Sequence, residues 1–98
     1  MPKFEVVSSL GRRIRVSEEY WEKIVRNKHP AMAGQEELVK GTLTDSEQVR
    51  RSRKDESVFL HYRRAGEYYC CVVVKHLNGD GFVVTTYMTD RIKVGEAV

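Results

Sequence analysis

The feature that most constrains this chain of 98 residues is a pair of strand-forming runs near its C-terminal end. Tyr68–His76 and Gly81–Lys93 are both rich in β-branched and aromatic residues, and Asn78–Gly79 lies between them. An Asn-Gly pair favours the positive φ angles that tight hairpin turns require. The sequence therefore predicts an antiparallel hairpin. Because side chains alternate along a strand, the hydroxyls of Thr85 and Tyr87 should share one face of it.

The remaining segments predict helices first and strands afterwards. Ser17 is a hydroxyl N-cap followed by two acids, and apolar residues recur at helical spacing until Pro30 ends the helix. A second helix is predicted from about Gly34 to Leu43. Strands are predicted at 47–53, 58–64, 68–76 and 82–89, with 4–7 and 13–16 either short strands or a loose arm. We therefore expect a single domain over residues 1–98, of class α+β, with two N-terminal helices packed on a four-stranded antiparallel sheet, and with residues 1–13 as a candidate N-terminal arm.

Composition narrows the class of protein. No apolar run reaches the roughly 18 residues that a membrane-spanning helix needs, and the N-terminus lacks a signal-peptide core, so we expect a cytoplasmic protein without a membrane partner. Cys70 and Cys71 are neighbours in a predicted strand, where a disulfide would be strained. They are expected to be buried thiols, and no metal or cofactor is expected because no Cys or His pair has ligand spacing.

Basic residues are clustered along the chain. The net charge is only +3, but some of the cations form groups: Arg50, Arg51, Arg53 and Lys54, then Arg63 and Arg64, then Arg91 and Lys93. Clustered cations favour a polyanionic partner such as RNA. They are equally compatible with a solvated sheet edge, where charges prevent aggregation. If the partner is RNA, the predicted RNA-binding residues are Arg51, Arg53, Lys54, Arg91 and Lys93.

Pairing the strands through tight turns predicts which side chains share a face. The face expected against the helices holds Val58, Leu60, Tyr62, Tyr69, Cys71, Val73, Phe82, Val84, Thr86 and Met88. The face expected to be open holds Arg50, Ser52, Phe59, His61, Arg63, Tyr68, Cys70, Val72, Val74, Thr85, Tyr87 and Thr89. The second set mixes arginine, histidine and hydroxyl groups, which are the types that metal-free phosphodiester cleavage requires. Histidine moves protons near neutral pH, and arginine binds phosphate oxygens in pairs.

These pieces, in this order, resemble the PBECR-type nucleases, the phage barnase–EndoU–colicin–RelE-like group. They also resemble the small RNase toxins of toxin–antitoxin systems. The resemblance is carried by Lys28–Pro30 at a helix end, by the strand segments Val49–Arg53 and Leu60–Arg63, and by Val83–Tyr87 with Thr89–Arg91. It implies a compact metal-independent endoribonuclease fold (RelE/barnase-like), toxin-like or phage-derived, with its active site on the sheet. The helix-end histidine is matched by His29, the first-strand arginine by Arg50 or Arg51, and the last-strand hydroxyl pair by Thr85 and Tyr87. The pattern usually has a small residue where Thr86 stands.

Each candidate also has a simpler interpretation. His29 is either an acid–base group or a cationic helix cap, and His61 is either catalytic or a half-buried cross-strand partner. Arg50 and Arg63 either clamp a phosphate or pair with Glu67 or Asp90. Thr85 and Tyr87 are either functional or good strand formers. The predicted function is RNA cleavage through the 2′-OH, with an antitoxin or immunity protein as a candidate partner. The alternative is a non-catalytic module that binds RNA or protein on the same scaffold.

Overall fold

The computed structural model describes residues 2–92 and 95–98, and its centre is one mixed β-sheet of seven strands. The strands are β1 (Pro2–Val7), β2 (Arg13–Ser17), β3 (Gln48–Arg51), β4 (Val58–Ala65), β5 (Tyr68–His76), β6 (Asp80–Thr89) and β7 (Glu96–Ala97). Their order across the sheet is β1-β2-β6-β5-β4-β3-β7. The β2–β6 pair is parallel and all other pairs are antiparallel.

Two short α-helices connect the N-terminal hairpin to β3. Helix α1 (Glu18–Lys23) begins where the Ser17 hydroxyl accepts a hydrogen bond from the amide of Tyr20 at 3.1 Å, which satisfies a free N–H of the first turn. It continues as a π-helix over Ile24–Lys28, and a 3₁₀ turn over Pro30–Met32 follows. Helix α2 (Glu36–Thr44) precedes β3. No helix in the described part of the chain is long and apolar enough to span a membrane.

The predicted fold class is wrong. The four predicted C-terminal strands exist as β3 to β6, but the sheet has seven strands and is mixed, because β2 joins the free edge of β6 in parallel. Residues 2–7 form an ordered edge strand paired with β2. The last two-residue strand, β7, returns to the far edge beside β3. These pairings join segments far apart in sequence, so local patterns give no signal for them.

The helices cover one face of the sheet, which we call the inner face; the opposite side is the outer face. The core on the inner face joins apolar side chains of the helical segment to those of β5 and β6: Trp21, Ile24, Met32, Val39, Leu43, Cys70, Val72, Val74 and Val83. Residues directly opposite in a ladder share a face, so the pairing of His61 with Val72 and of Phe59 with Val74 places both β4 residues on the inner face as well. The two predicted faces are thus exchanged over β4, β5 and the start of β6.

A β-bulge restores the predicted orientation at the end of β6. Val74 pairs with Val83, but Val73 pairs with Thr85, so Val84 is the extra residue. The Val84 carbonyl accepts a hydrogen bond from the Tyr20 hydroxyl at 2.9 Å, which ties the bulge to α1. Beyond the bulge, Thr86 is buried toward the helices, and Thr85 and Tyr87 lie on the outer face as predicted.

Candidate functional site

A basic cleft lies where β3 ends and the following loop begins. It encloses about 310 Å³ and is lined by Arg50, Arg51, Ser52, Arg53, Lys54, Leu60 and Gly95. Arg50 lies opposite Leu60 in the β3–β4 ladder, and that position puts it on the outer face. Gly95 allows the C-terminal segment to approach closely, since a Cβ there would come within 3.0 Å of the Arg51 carbonyl oxygen.

The arginines of the basic cleft are only partly used by the fold. Arg50 donates through Nη2 to the Gln48 side chain at 2.9 Å, and Arg51 donates through Nη2 to the Glu96 carboxylate at 2.6 Å. The Nε atoms of both arginines are buried and have no hydrogen-bond partner among the described residues. Arg53 and Lys54 are exposed and form no ion pair within 4.0 Å in the described ranges. Arg53 and Lys54 therefore supply exposed, unpaired cations to the cleft, beside two arginines that the fold holds in place.

The loop after β3 holds the carboxylate of Asp55 away from the cleft. The Asp55 carboxylate accepts from the amide and hydroxyl of Ser57 at 2.9 and 2.6 Å, and it pairs with Lys75 at 3.3 Å. The hydrogen bonds from Ser57, together with the smaller effect of Lys75, lower the pKa of Asp55 to about 2. The Ser52 hydroxyl accepts from the Lys54 amide at 3.2 Å, which fixes the turn that presents the basic side chains. Asp55 does not line the cleft.

A second group of candidates meets at the end of β6. The rings of His29 and Tyr87 lie side by side, with centroids 5.4 Å apart. Burial raises the pKa of the Tyr87 phenol above its ordinary value, and interactions with Cys71 and Tyr62 raise it further. Tyr87 is thus held protonated. The Thr85 hydroxyl is buried and has no hydrogen-bond partner in residues 2–92 and 95–98. This end of the face offers a histidine and a free hydroxyl.

The two groups share the outer face but lie at opposite sides of the sheet. Thr85 lies opposite Val73, Val73 opposite Leu60, and Leu60 opposite Arg50, so one row crosses the sheet from β6 to β3. Three strand spacings separate its ends, which is roughly 14 Å. For His29, Arg50 and Tyr87 to meet on one phosphate, as the sequence predicts, the side chains of Arg50 and Tyr87 would have to span this distance.

The face predicted for His61 is wrong, and its environment is that of a structural residue. The side chain is fully buried on the inner face, and its Nδ1 lies 2.7 Å from the Ser46 hydroxyl. That hydroxyl donates to the Thr42 carbonyl at 2.7 Å, so His61 Nδ1 must be the donor to Ser46. Its Nε2 is then unprotonated, buried and without a partner among the described residues. Burial lowers the pKa of His61 to about 4, and His76 contributes to the lowering.

Arg63 is also away from the predicted site. It pairs with Cys70 across the β4–β5 ladder and so belongs to the inner side, where it reaches the end of α2. Its guanidinium forms an ion pair with Asp45 at 2.8 Å rather than with Glu67 or Asp90. The pair ties β4 to the segment after α2. Neither His61 nor Arg63 can share a phosphate with Thr85 and Tyr87.

The remaining predicted RNA-binding residues lie at the end of β6. Arg91 is exposed and pairs with its neighbour Asp90 at 3.5 Å, while Lys93 lies outside the described residues. Tyr62 and Cys71 are fully buried, as the sequence predicts, but they lie in the outer-face row that contains Tyr87 and not under the helices. Sequence reasoning also gave no role to Gly95 and Leu60, because nothing local indicates that the C-terminal segment returns to β3.

No group of three or more His, Cys, Asp or Glu side chains in the described ranges is arranged to hold a metal ion. Comparisons with protein-family models, with curated proteins and with solved structures gave no match to this chain. The resemblance to PBECR-type nucleases therefore depends on the sequence motifs alone.

Proposed function

We propose that the protein binds RNA, and that the basic cleft is where it holds the phosphates. The observation that carries this is the lining of the cleft, in which Arg50, Arg51, Arg53 and Lys54 converge and only Arg51 has a carboxylate partner in the described residues. Unpaired cations that converge on a concave surface bind phosphate oxygens by charge and by directed N–H donors. Arginine dominates the lining, which suits bidentate contact with phosphate.

A salt series tests this proposal. The affinity for a short single-stranded RNA should fall with rising salt, with a slope of log affinity against log salt of roughly 0.7 per phosphate contact. Replacing Arg53 and Lys54 by glutamine should reduce the slope by about 1.4, which corresponds to two lost contacts. The matched control replaces Lys23 and Arg26, which are exposed on the helical segment, and so removes the same charge elsewhere. A salt-independent affinity, or equal effects of the two double variants, would exclude the basic cleft as the binding site.

Metal-independent RNA cleavage is the second candidate function, and the contact between His29 and Tyr87 favours it. His29 would act as the general acid or base, while the Thr85 hydroxyl would donate a hydrogen bond to the phosphate and Tyr87 would position the His29 ring. The distant position of Arg50 weakens this candidate, because charge that develops on the phosphate needs a nearby cation.

The assay for cleavage is incubation of a mixed RNA in EDTA, with analysis for 2′,3′-cyclic phosphate ends. Replacement of His29 by alanine should lower the rate by a factor on the order of a hundred if it moves a proton in the reaction. Replacement of His61 by glutamine provides the comparison, since His61 is buried on the inner face. Intact RNA at high protein concentration, together with salt-dependent binding, would leave only the binding function.

A further inference from the structure

A third feature of the outer face is a guanidinium held over an aromatic ring near the β4–β5 turn. Arg64 lies opposite Tyr69 in the ladder, and its guanidinium carbon is 5.4 Å from the ring centroid. Its Nε donates to the Gly66 carbonyl at 2.8 Å, which fixes the plane of the group. Within the described residues no carboxylate lies within 4.0 Å of its charged nitrogens. Arg64 is thus an exposed, oriented and unpaired planar cation.

The ladder register places this pair on the same face as the basic cleft. Tyr69 lies opposite Thr89, which is two residues beyond Tyr87, so the pair forms the row next to Tyr87 on the outer face. Along β4, Arg64 is four residues from Leu60, which lines the cleft, a separation of about 13 Å for an extended strand. A single extended ligand can therefore reach both places.

We propose that Arg64 and Tyr69 form a stacking subsite for an unpaired nucleobase, so that the ligand of the basic cleft is single-stranded. This rests on the proposed binding of RNA at the cleft. A guanidinium plane and an aromatic ring both stack on nucleobases, and they do so without selecting a sequence. A base inside a duplex has its faces covered by its neighbours and cannot use this subsite. The basic cleft then binds the phosphate chain, and the Arg64–Tyr69 pair distinguishes a single strand from a duplex.

The test compares single-stranded and double-stranded RNA of equal length with charge-preserving variants. Arg64→Lys keeps the charge but removes the plane, and should weaken binding of the single strand about tenfold. Its effect on the duplex and on the salt slope should be small, because the number of cations is unchanged. Tyr69→Leu should also weaken single-strand binding, whereas Tyr69→Phe keeps the ring and should bind as wild type. A 2-aminopurine base in the single strand should change its fluorescence on binding to wild type and less on binding to Arg64→Lys.

The outcomes separate this inference from the proposed function. If the Arg53 and Lys54 variant weakens binding while Arg64→Lys and Tyr69→Leu bind single strands as wild type does, the cleft stands and the stacking subsite is refuted. If Arg64→Lys weakens single-strand and duplex binding equally, the pair contacts a feature that both RNAs share, such as the phosphate chain, and the subsite is again refuted. If wild type binds neither RNA in a salt-dependent way, the proposed function itself fails. Thermal unfolding of each variant shows whether the β4–β5 turn is intact.

Discussion

On the inner face of the sheet, His61 and Thr86 are fully buried, and both hydrogen-bond within the fold. On the outer face, Thr85 and Arg50 hold buried polar atoms that have no partner among the described residues, and the Nε2 atom of His61 on the inner face is in the same situation. Unsatisfied buried groups cost free energy, so both faces carry such a cost. The two faces differ in exposure, because Thr85 and Arg50 are partly exposed whereas His61 and Thr86 are enclosed. A ligand can therefore reach the outer pair, while the inner pair has a structural role.

The largest expected effect is an acid instability caused by His61. Its pKa in the folded protein is lowered to about 4 from an ordinary value of 6.5, so the unfolded chain binds the proton more readily. Stability should be complete above pH 6.5 and should fall as the pH falls toward 4, by about 3 kcal/mol in all. Urea unfolding across this range measures the loss.

The control for this prediction is the variant His61→Gln, which cannot titrate. Its unfolding free energy should change much less over the same pH range than that of wild type. The remaining dependence should come from groups such as His76, whose pKa is also lowered, chiefly by burial. Equal pH dependence in the two proteins would contradict the structural role of His61. An NMR titration of the imidazole gives an independent measurement, with His61 protonating only near pH 4.

The next effect distinguishes the two ends of the outer face. Arg50→Gln should weaken binding of single-stranded RNA about tenfold, because it removes a charged donor from the basic cleft. Thr85 lies roughly 14 Å from Arg50 across the sheet, so Thr85→Val should leave the affinity nearly unchanged. Fluorescence anisotropy with labelled RNA at fixed salt compares them. If Thr85→Val weakens binding as strongly as Arg50→Gln, the two ends act as one site and the second candidate function gains support.

A smaller effect is expected on the unfolding free energy when the adjacent threonines Thr85 and Thr86, which lie on opposite faces, are replaced. The Thr86 hydroxyl donates to the Cys71 carbonyl at 2.8 Å, so Thr86→Val should cost about 1 kcal/mol of unfolding free energy. The Thr85 hydroxyl has no partner among the described residues, so Thr85→Val should be neutral or slightly stabilising. Chemical denaturation of the two variants measures the difference. A loss at Thr85 equal to that at Thr86 would show that the outer hydroxyl is also structural.

The sequence indicated most elements of this fold but not their arrangement. The β4 and β5 segments matched the predicted ranges within one residue, because their β-branched and aromatic content is a local signal. Tyr68–Val74 is apolar at every position except the tyrosine hydroxyls, so alternation could not show which side of β5 faces the helices. The bulge at Val84 then changes which alternate residues of β6 face the helices. The basic cluster begins in a strand as predicted, but that strand ends at Arg51 and not at Arg53, and the return of β7 to this edge depends on long-range pairing.

The smallest expected effect concerns that returning strand. β7 pairs with β3 through only two residue pairs, and its Glu96 carboxylate lies 2.6 Å from the Arg51 guanidinium, where a ligand phosphate would compete for the same donor. Both partners are partly exposed, so the ion pair is weak. Glu96→Gln should therefore strengthen RNA binding by only roughly two- to fivefold. Asp90→Asn is the matched control, because Asp90 pairs with Arg91 outside the basic cleft and its loss removes the same charge. Equal gains in both variants would mean that net charge alone controls the affinity, and a gain confined to Glu96→Gln would mean that Glu96 and the phosphate compete for Arg51.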